Sequence, residues 1–278
     1  MRTKKPIFLS ILAIFKNESH VLNEWIEHYL MEGVEHFFLI DNGSTDDYLA
    51  KLKPYLDEGL ISLNSDASKW AQVELYNTYF NEFKDKTEWL IICDLDEFVY
   101  SRRKYSSIAA FLKSLSNKVG MVQIPWKMFG SSGYIEQPAS VVKSFSHRCL
   151  YNNKKNETML DEERIFCKPI VRTNFVESLH VHFAHVGKSR KVAADKKRIK
   201  EKTEYLPINE KILKRSFLHL NHYPIQSKDW FMKVKATRGA ANMEKYENFR
   251  DLEYFDRYDL DSNELLDDEL AVKHTRNA

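Results

Sequence analysis

A chain of 278 residues, 43% hydrophobic and 13% aromatic, can bury a full core, and only 8 Gly and 7 Pro exclude fibrous or low-complexity architectures. Lys+Arg 42 against Asp+Glu 40 leave a formal net charge of +2, which excludes a long-range field for nucleic acid or anionic membrane, so an anionic ligand must be held locally. Three widely spaced cysteines, Cys93, Cys149 and Cys167, make neither a disulfide framework nor a zinc signature, and a reducing, cytoplasmic setting is expected.

The apolar run Pro6–Phe15 is too short for a spanning helix and lacks a small-residue cleavage site, so no transmembrane segment is expected. Its Ile7–Phe15 part, apolar at nearly every position, predicts a strand buried on both faces. Val21–Met31 repeats apolar residues at three and four, with Asn17 or Ser19 to cap the start and Gly33 to close the end of a helix. His36–Ile40 predicts a second strand, running into the turn-forming stretch Asp41 to Asp47, which can cap a short helix Tyr48–Leu56. Leu60–Leu63, the helical Trp70–Phe83 and the strand Trp89–Cys93 follow, then a helix Ile108–Leu115 and a strand Gly120–Pro125. The alternation predicts an α/β fold with a mostly parallel sheet and helices on both faces. Beyond residue 130, Val171 to Val186 reads as one or two strands, the basic Lys188–Lys202 and then Lys228–Glu247 as helices, and residues 241–278 as an acidic, peripheral tail.

Parallel sheets bind ligands outside the carboxyl ends of their strands. Here those ends carry Glu18, Asp41, and Asp94 with Asp96. On a strand, residues two apart share a side, so Asp94 and Asp96 come together while Leu95 points to the core. Two adjacent carboxylates repel unless a hard divalent cation shares them, and Mg²⁺ or Mn²⁺ would keep positions open for phosphate oxygens. A cap or an ion pair with Arg102 and Arg103 is the plainer alternative for this pair, as an Asx turn is for Asp41 and a first-turn charge for Glu18. His180 and His182 would share a face of a strand, but no partner at a usual spacing supports zinc.

The runs Ala13 to Glu18, Glu24-Trp25, Gly33-Val34, Asp41 to Asp46, Trp89 to Phe98 and Asn221-His222-Tyr223 together resemble glycosyltransferases of the family 2 and family 92 type, over roughly residues 7 to 240. The resemblance implies a GT-A-like fold, residues 1–125 binding a nucleotide-diphosphate sugar and 126–240 facing a glycan or other hydroxyl acceptor. It further implies a divalent metal at the D-x-D motif, inversion at the anomeric carbon and a place in polysaccharide synthesis. By position, Glu18 and Asp41 would line the nucleoside pocket, Asp94 and Asp96 meet ribose and metal, Lys168 face donor phosphate or acceptor, and His222 complete the metal site. Lys235 or Arg238 would contact phosphate. An inverting transfer needs a general base, for which Glu163, Glu162 and Glu136 are the candidates, each also readable as a solvated acidic turn. The basic run from Lys188 to Lys200 could grip an anionic acceptor, although a solvated helix face is the simpler reading. A haloacid-dehalogenase-like phosphatase fits less well, because Phe98 stands where that family places Thr or Val; a silent nucleotide-sugar or glycan-binding module is the remaining alternative.

Overall fold

The computed structural model describes residues 6–152, 164–200, 203–238 and 250–277. The first half alternates β1 (Ile7–Phe15), α1 (Ser19–Met31), β2 (His36–Asp41), α2 (Tyr48–Asp57), β3 (Ile61–Ser65), α3 (Gln72–Phe83), β4 (Thr87–Ile92), β5 (Glu97–Ser101), α4 (Ile108–Lys113) and β6 (Val119–Met128). The second half brings α5 (Val141–Ser144), β7 (His147–Arg148), β8 (Arg164–Arg172), β9 (Ser178–Leu179), β10 (Ala184–His185), β11 (Arg190–Ala193), β12 (Arg198–Ile199) and β13 (Tyr205–Pro207). It ends with α6 (Glu210–Arg215), β14 (Leu218–His222), α7 (Lys228–Trp230), α8 (Leu252–Asp261), β15 (Leu265–Leu266) and α9 (Glu269–Asn277).

Strands β3, β2, β1 and β4 lie side by side in that order, all parallel. Beyond β4 the sheet continues through the antiparallel β8 to β6, and β11 pairs parallel with β6. Alternation sends Leu9, Ile11, Ala13 and Phe15 of β1 into a core with Val21, Leu22, Trp25, Ile26 and Tyr29 of α1, while Leu12 and Ile14 pack on the other face with Leu75, Tyr76 and Phe80 of α3. Helices therefore cover both faces, the α/β architecture expected from the uninterrupted apolar runs. Chain order reverses between β1 and β4, which opens a crevice at their carboxyl ends.

The helix boundaries show which local signals held. Gly33 closes α1 at φ +88°, its N–H donating to Leu30 O (3.0 Å) while Val34 N–H donates to Tyr29 O (2.9 Å), a double closure that needs a left-handed residue. The start of α1 differs from expectation: neither Asn17 nor Ser19 caps it, and Ser19 N–H donates to Asp46 Oδ2 (2.8 Å) from the following loop.

The basic segment after Lys188 is not helical. It forms β11 and β12 around a turn, with Val192 and Ala194 buried, Ala193 between them half-buried, and Arg190, Lys197 and Arg198 exposed, so β11 has a period of two. Within Val171 to Val186, Val171 and Arg172 end the long strand β8, and the remaining strand pairing is that of β9 with β10. At Lys228 a single α-turn passes into a π-turn at Phe231–Lys235, and residues 239–247 of the expected helix lie outside the described residues.

Residues 250–277, expected to be peripheral, are docked. Phe255 and Leu270 are buried, Asp267 accepts from Lys127 Nζ (2.8 Å) and Arg148 Nε (2.6 Å), and Glu269 from Arg102 Nε (2.8 Å) and Tyr100 Oη (3.0 Å). The acids of this segment neutralise cations that the sheet presents, which is why an acidic stretch joins the core. No described helix is long and apolar enough to cross a membrane.

This packing makes the fold acid-sensitive. Burial and the charge of Lys127 push the His219 imidazole down to about 4, and burial with Lys273 does the same to His274; burial takes His182 down to about 3. Between pH 6.5 and 4 the unfolded imidazoles bind protons that the native ones refuse, so stability falls as pH falls through that window. Glu97, pushed up to about 6 by burial from an ordinary 4.5, opposes this over a narrower range. The thermal midpoint is expected to drop several degrees from pH 7 to pH 4.5 in scanning calorimetry, and an unchanged midpoint would contradict the assignment.

Candidate active site

The link between β4 and β5 builds the site. Asp94, Leu95 and Asp96 form a tight turn rather than a strand, closed by Glu97 N–H donating to Asp94 O (3.1 Å) and Asp94 N–H donating to Glu97 Oε2 (2.8 Å). Helix α1 holds the turn from below: Trp25 Nε1 donates to Asp94 O (3.2 Å) and Glu97 O (3.1 Å), and Tyr29 Oη donates to Glu97 O (3.1 Å). Tyr223 N–H, just past β14, donates to Asp96 O (2.8 Å), bringing His222 alongside.

The buried Lys168 Nζ lies 2.8 Å from Asp94 Oδ2 and 3.3 Å from Glu97 Oε2. Lys235 pairs with Asp96 Oδ2, while Asp96 Oδ1 faces His222 Nε2 at 3.5 Å. Burial opposes the charge of Asp96, but Lys235 and His222 hold its carboxyl well below the usual range. Among the described residues, Asp96, Glu97 and His222 form a group whose potential ligand atoms all lie within 4.8 Å of one another. Each also has a buried polar atom without a hydrogen-bond partner there: Asp96 Oδ1, Glu97 Oε1 and His222 Nδ1. Buried polar atoms are nearly always satisfied, and two carboxylate oxygens with an imidazole suit Mn²⁺ or Mg²⁺, so the residues present fit a divalent cation.

In front of this turn lies a cleft of about 540 Å³ at the carboxyl ends of β1, β2 and β4. Glu18, Asp94, Asp96, Trp126, His182 and His222 line it, Lys235 and Arg238 enter from the π-turn segment, and Arg250, Tyr254 and Tyr258 border it from the C-terminal side. Glu18 is buried and paired with Arg238, which also donates to Lys16 O.

The structure thus brings together Glu18, Asp94, Asp96, Lys168 and His222 as the sequence suggested. Asp41 does not line the cleft: its oxygens accept from Ser44 N–H (2.8 Å), Ser65 Oγ (3.0 Å) and Tyr48 Oη (3.2 Å), the Asx-turn role, and Asn42 takes the cleft position. Asp94 lies outside the three-residue group and turns to Lys168. Glu163 and Glu162 lie outside the described residues, and Glu136 is exposed and does not line the cleft. His180 stacks on Phe183 and faces His185 with ring centroids 5.3 Å apart, away from any three-ligand group among the described residues. Sequence reasoning missed Glu97, because alternation would send it opposite Asp96 and a turn cancels alternation. It missed Tyr254 and Tyr258 too, although their i,i+4 spacing could have marked a helix face.

A model of glycosyltransferase family 92 matches residues 5–261. The chain belongs to that family. A family 92 protein of Ricinus communis is 24% identical over 191 residues, 66% of this chain and 32% of that one, and one of Arabidopsis thaliana is 25% identical over 248 residues, 84% of this chain and 38% of that one. The chain thus spans about a third of the length of the curated relatives it matches. Among solved structures, S. aureus TarS 1-349 covers 61% of this chain and 48% of its own at a TM-score of 0.38 and 16% identity. Family membership sets the phosphatase alternative aside.

Proposed function

We propose that this family 92 chain transfers a sugar from a nucleotide-diphosphate donor to a glycan or other hydroxyl acceptor, with inversion, using the cleft beside the Asp94–Glu97 turn. The observation that carries this reading is the trio Asp96, Glu97 and His222, each with an unsatisfied buried polar atom, beside a switch-point cleft that Asp96 and His222 line. A divalent cation held by these residues would stabilise the negative charge that develops on the leaving diphosphate. Lys235 and Arg238, whose partners are the acids Asp96 and Glu18, supply positive charge that the diphosphate would compete for. Asp94, its side chain 31% exposed against 6% for Glu18 and 4% for Asp96, is the most accessible of the three carboxylates and the one best placed to meet ribose or the acceptor hydroxyl. Residues 1–125 form the donor half on this reading, and 126–240 the acceptor half.

The test is transfer from a panel of uridine and guanosine diphosphate sugars, with Mn²⁺, Mg²⁺ or a chelator, and product anomer determined by NMR. Metal-stimulated transfer with an inverted anomer is the expected result. Metal-dependent nucleotide binding with no transfer to any acceptor would favour a silent binding module.

A further inference from the structure

The basic run, for which the sequence left a solvated helix face or a grip on an anionic acceptor, walls a second cavity, of about 330 Å³, bounded by β11, β12, β13 and α6. That volume is in the range of small-molecule sites, roughly 300–1,000 Å³. Among the described residues five cations line it, Arg164, Lys197, Arg198, Lys200 and Arg215, against one acid, Asp195. The Asp195 carboxylate is taken by Arg215 Nε (2.6 Å) and by the Lys197 backbone N–H (3.1 Å). Among the described residues Arg164, Lys197, Arg198 and Lys200 make no ion pair. The floor is apolar, from Pro125, Leu206 and Ile212, and Tyr205 stands at its edge. Such a cavity repels cations and suits an anion carried on a body with apolar faces.

A track of rings joins this cavity to the donor cleft. The Tyr205 ring packs 4.3 Å from Phe166, Phe166 lies 4.4 Å from His182 and 5.4 Å from Trp126, and Trp126 lies 4.1 Å from His222. Trp126 and His182 are themselves cleft residues. Strand β8 sets the spacing: Arg164, Phe166 and Lys168 alternate on one face, reaching the cavity, the ring track and the Asp94 carboxylate in turn. At about 3.3 Å per residue, Arg164 and Lys168 are about 13 Å apart along the strand.

We propose that the acceptor is an anionic saccharide. Its carboxylate or phosphate groups sit among Arg164, Lys197 and Arg198, its sugar rings lie along Tyr205, Phe166 and Trp126, and its hydroxyl end reaches the cleft. This rests on the transferase reading above and adds the substrate class.

Calorimetry on the full chain tests it with a uronic-acid tetrasaccharide, a phosphorylated tetrasaccharide and a neutral tetrasaccharide, with UDP titrated separately. At least one acidic saccharide is expected to bind ten-fold or more tightly than the neutral one, and which of the two does so identifies the anion. The double variant Lys197→Glu/Arg198→Glu, at exposed positions, is expected to abolish that preference while UDP affinity stays unchanged. Equal binding of the neutral chain, an unaffected double variant, or tighter binding of single-stranded RNA than of either acidic saccharide would each overturn the proposal. A wild-type chain that bound acidic saccharide but no nucleotide would instead sink the donor reading and leave this site standing.

Discussion

Asp96→Asn is expected to lower sugar transfer by roughly a hundred- to a thousand-fold, the scale on which loss of one transition-state charge contact acts. The amide keeps the size of the side chain and an acceptor oxygen but loses the charge that Lys235 and His222 hold in place. It can neither neutralise a divalent cation fully nor restrain Lys235 as the carboxylate does. Steady-state kcat/KM on the best donor of the panel measures the effect, and near-UV circular dichroism checks that the turn held by Trp25 is intact. Activity within two-fold of the parent would remove Asp96 from the catalytic role.

Asp267→Ala is expected to destabilise the fold by about 3–5 kcal/mol, because it strands buried cations. Lys127 Nζ is fully buried and depends on Asp267 Oδ2 at 2.8 Å, with Tyr100 Oη as its other partner at 2.9 Å. Arg148 is cushioned by its bidentate contact with Glu210, whose oxygens lie 2.8 and 2.9 Å away, so most of the loss falls on Lys127. The double variant Asp267→Ala/Lys127→Met should recover much of the stability, since it removes the orphaned charge. Urea denaturation of the single and double variants measures both effects. A single variant within 0.5 kcal/mol of the parent, on the scale of an ordinary surface change, would show that the C-terminal segment is not locked by this pair.

Most of the strand-to-helix order of residues 7–128 could be read from the chain because it is local; β5 (Glu97–Ser101) was not among the expected strands. Strands β1, β2 and β4 carry runs of successive apolar residues, α1 and α3 repeat apolar residues at three and four, and Gly33 ends α1 wherever the rest of the protein lies. The same locality made Glu18, Asp94 and Asp96 visible, since each follows a strand directly. His222 and Lys168 were reached only through resemblance, and the fold places both beside the acids.

Tertiary structure alone decided what those acids face. Whether Asp94–Glu97 is a strand or a turn depends on Trp25, Tyr29 and Tyr223, distant residues that bind its carbonyls, and that turn puts Glu97 with Asp96. Likewise, the period of the basic run was ambiguous until β6 offered a strand to pair with, and the acidic C-terminal residues looked solvated until Lys127 and Arg148 supplied partners. A sequence states the charge of a side chain and its local repeat. Which counter-charge it meets is a matter of contacts between residues far apart in the chain, and only the packed fold brings them together.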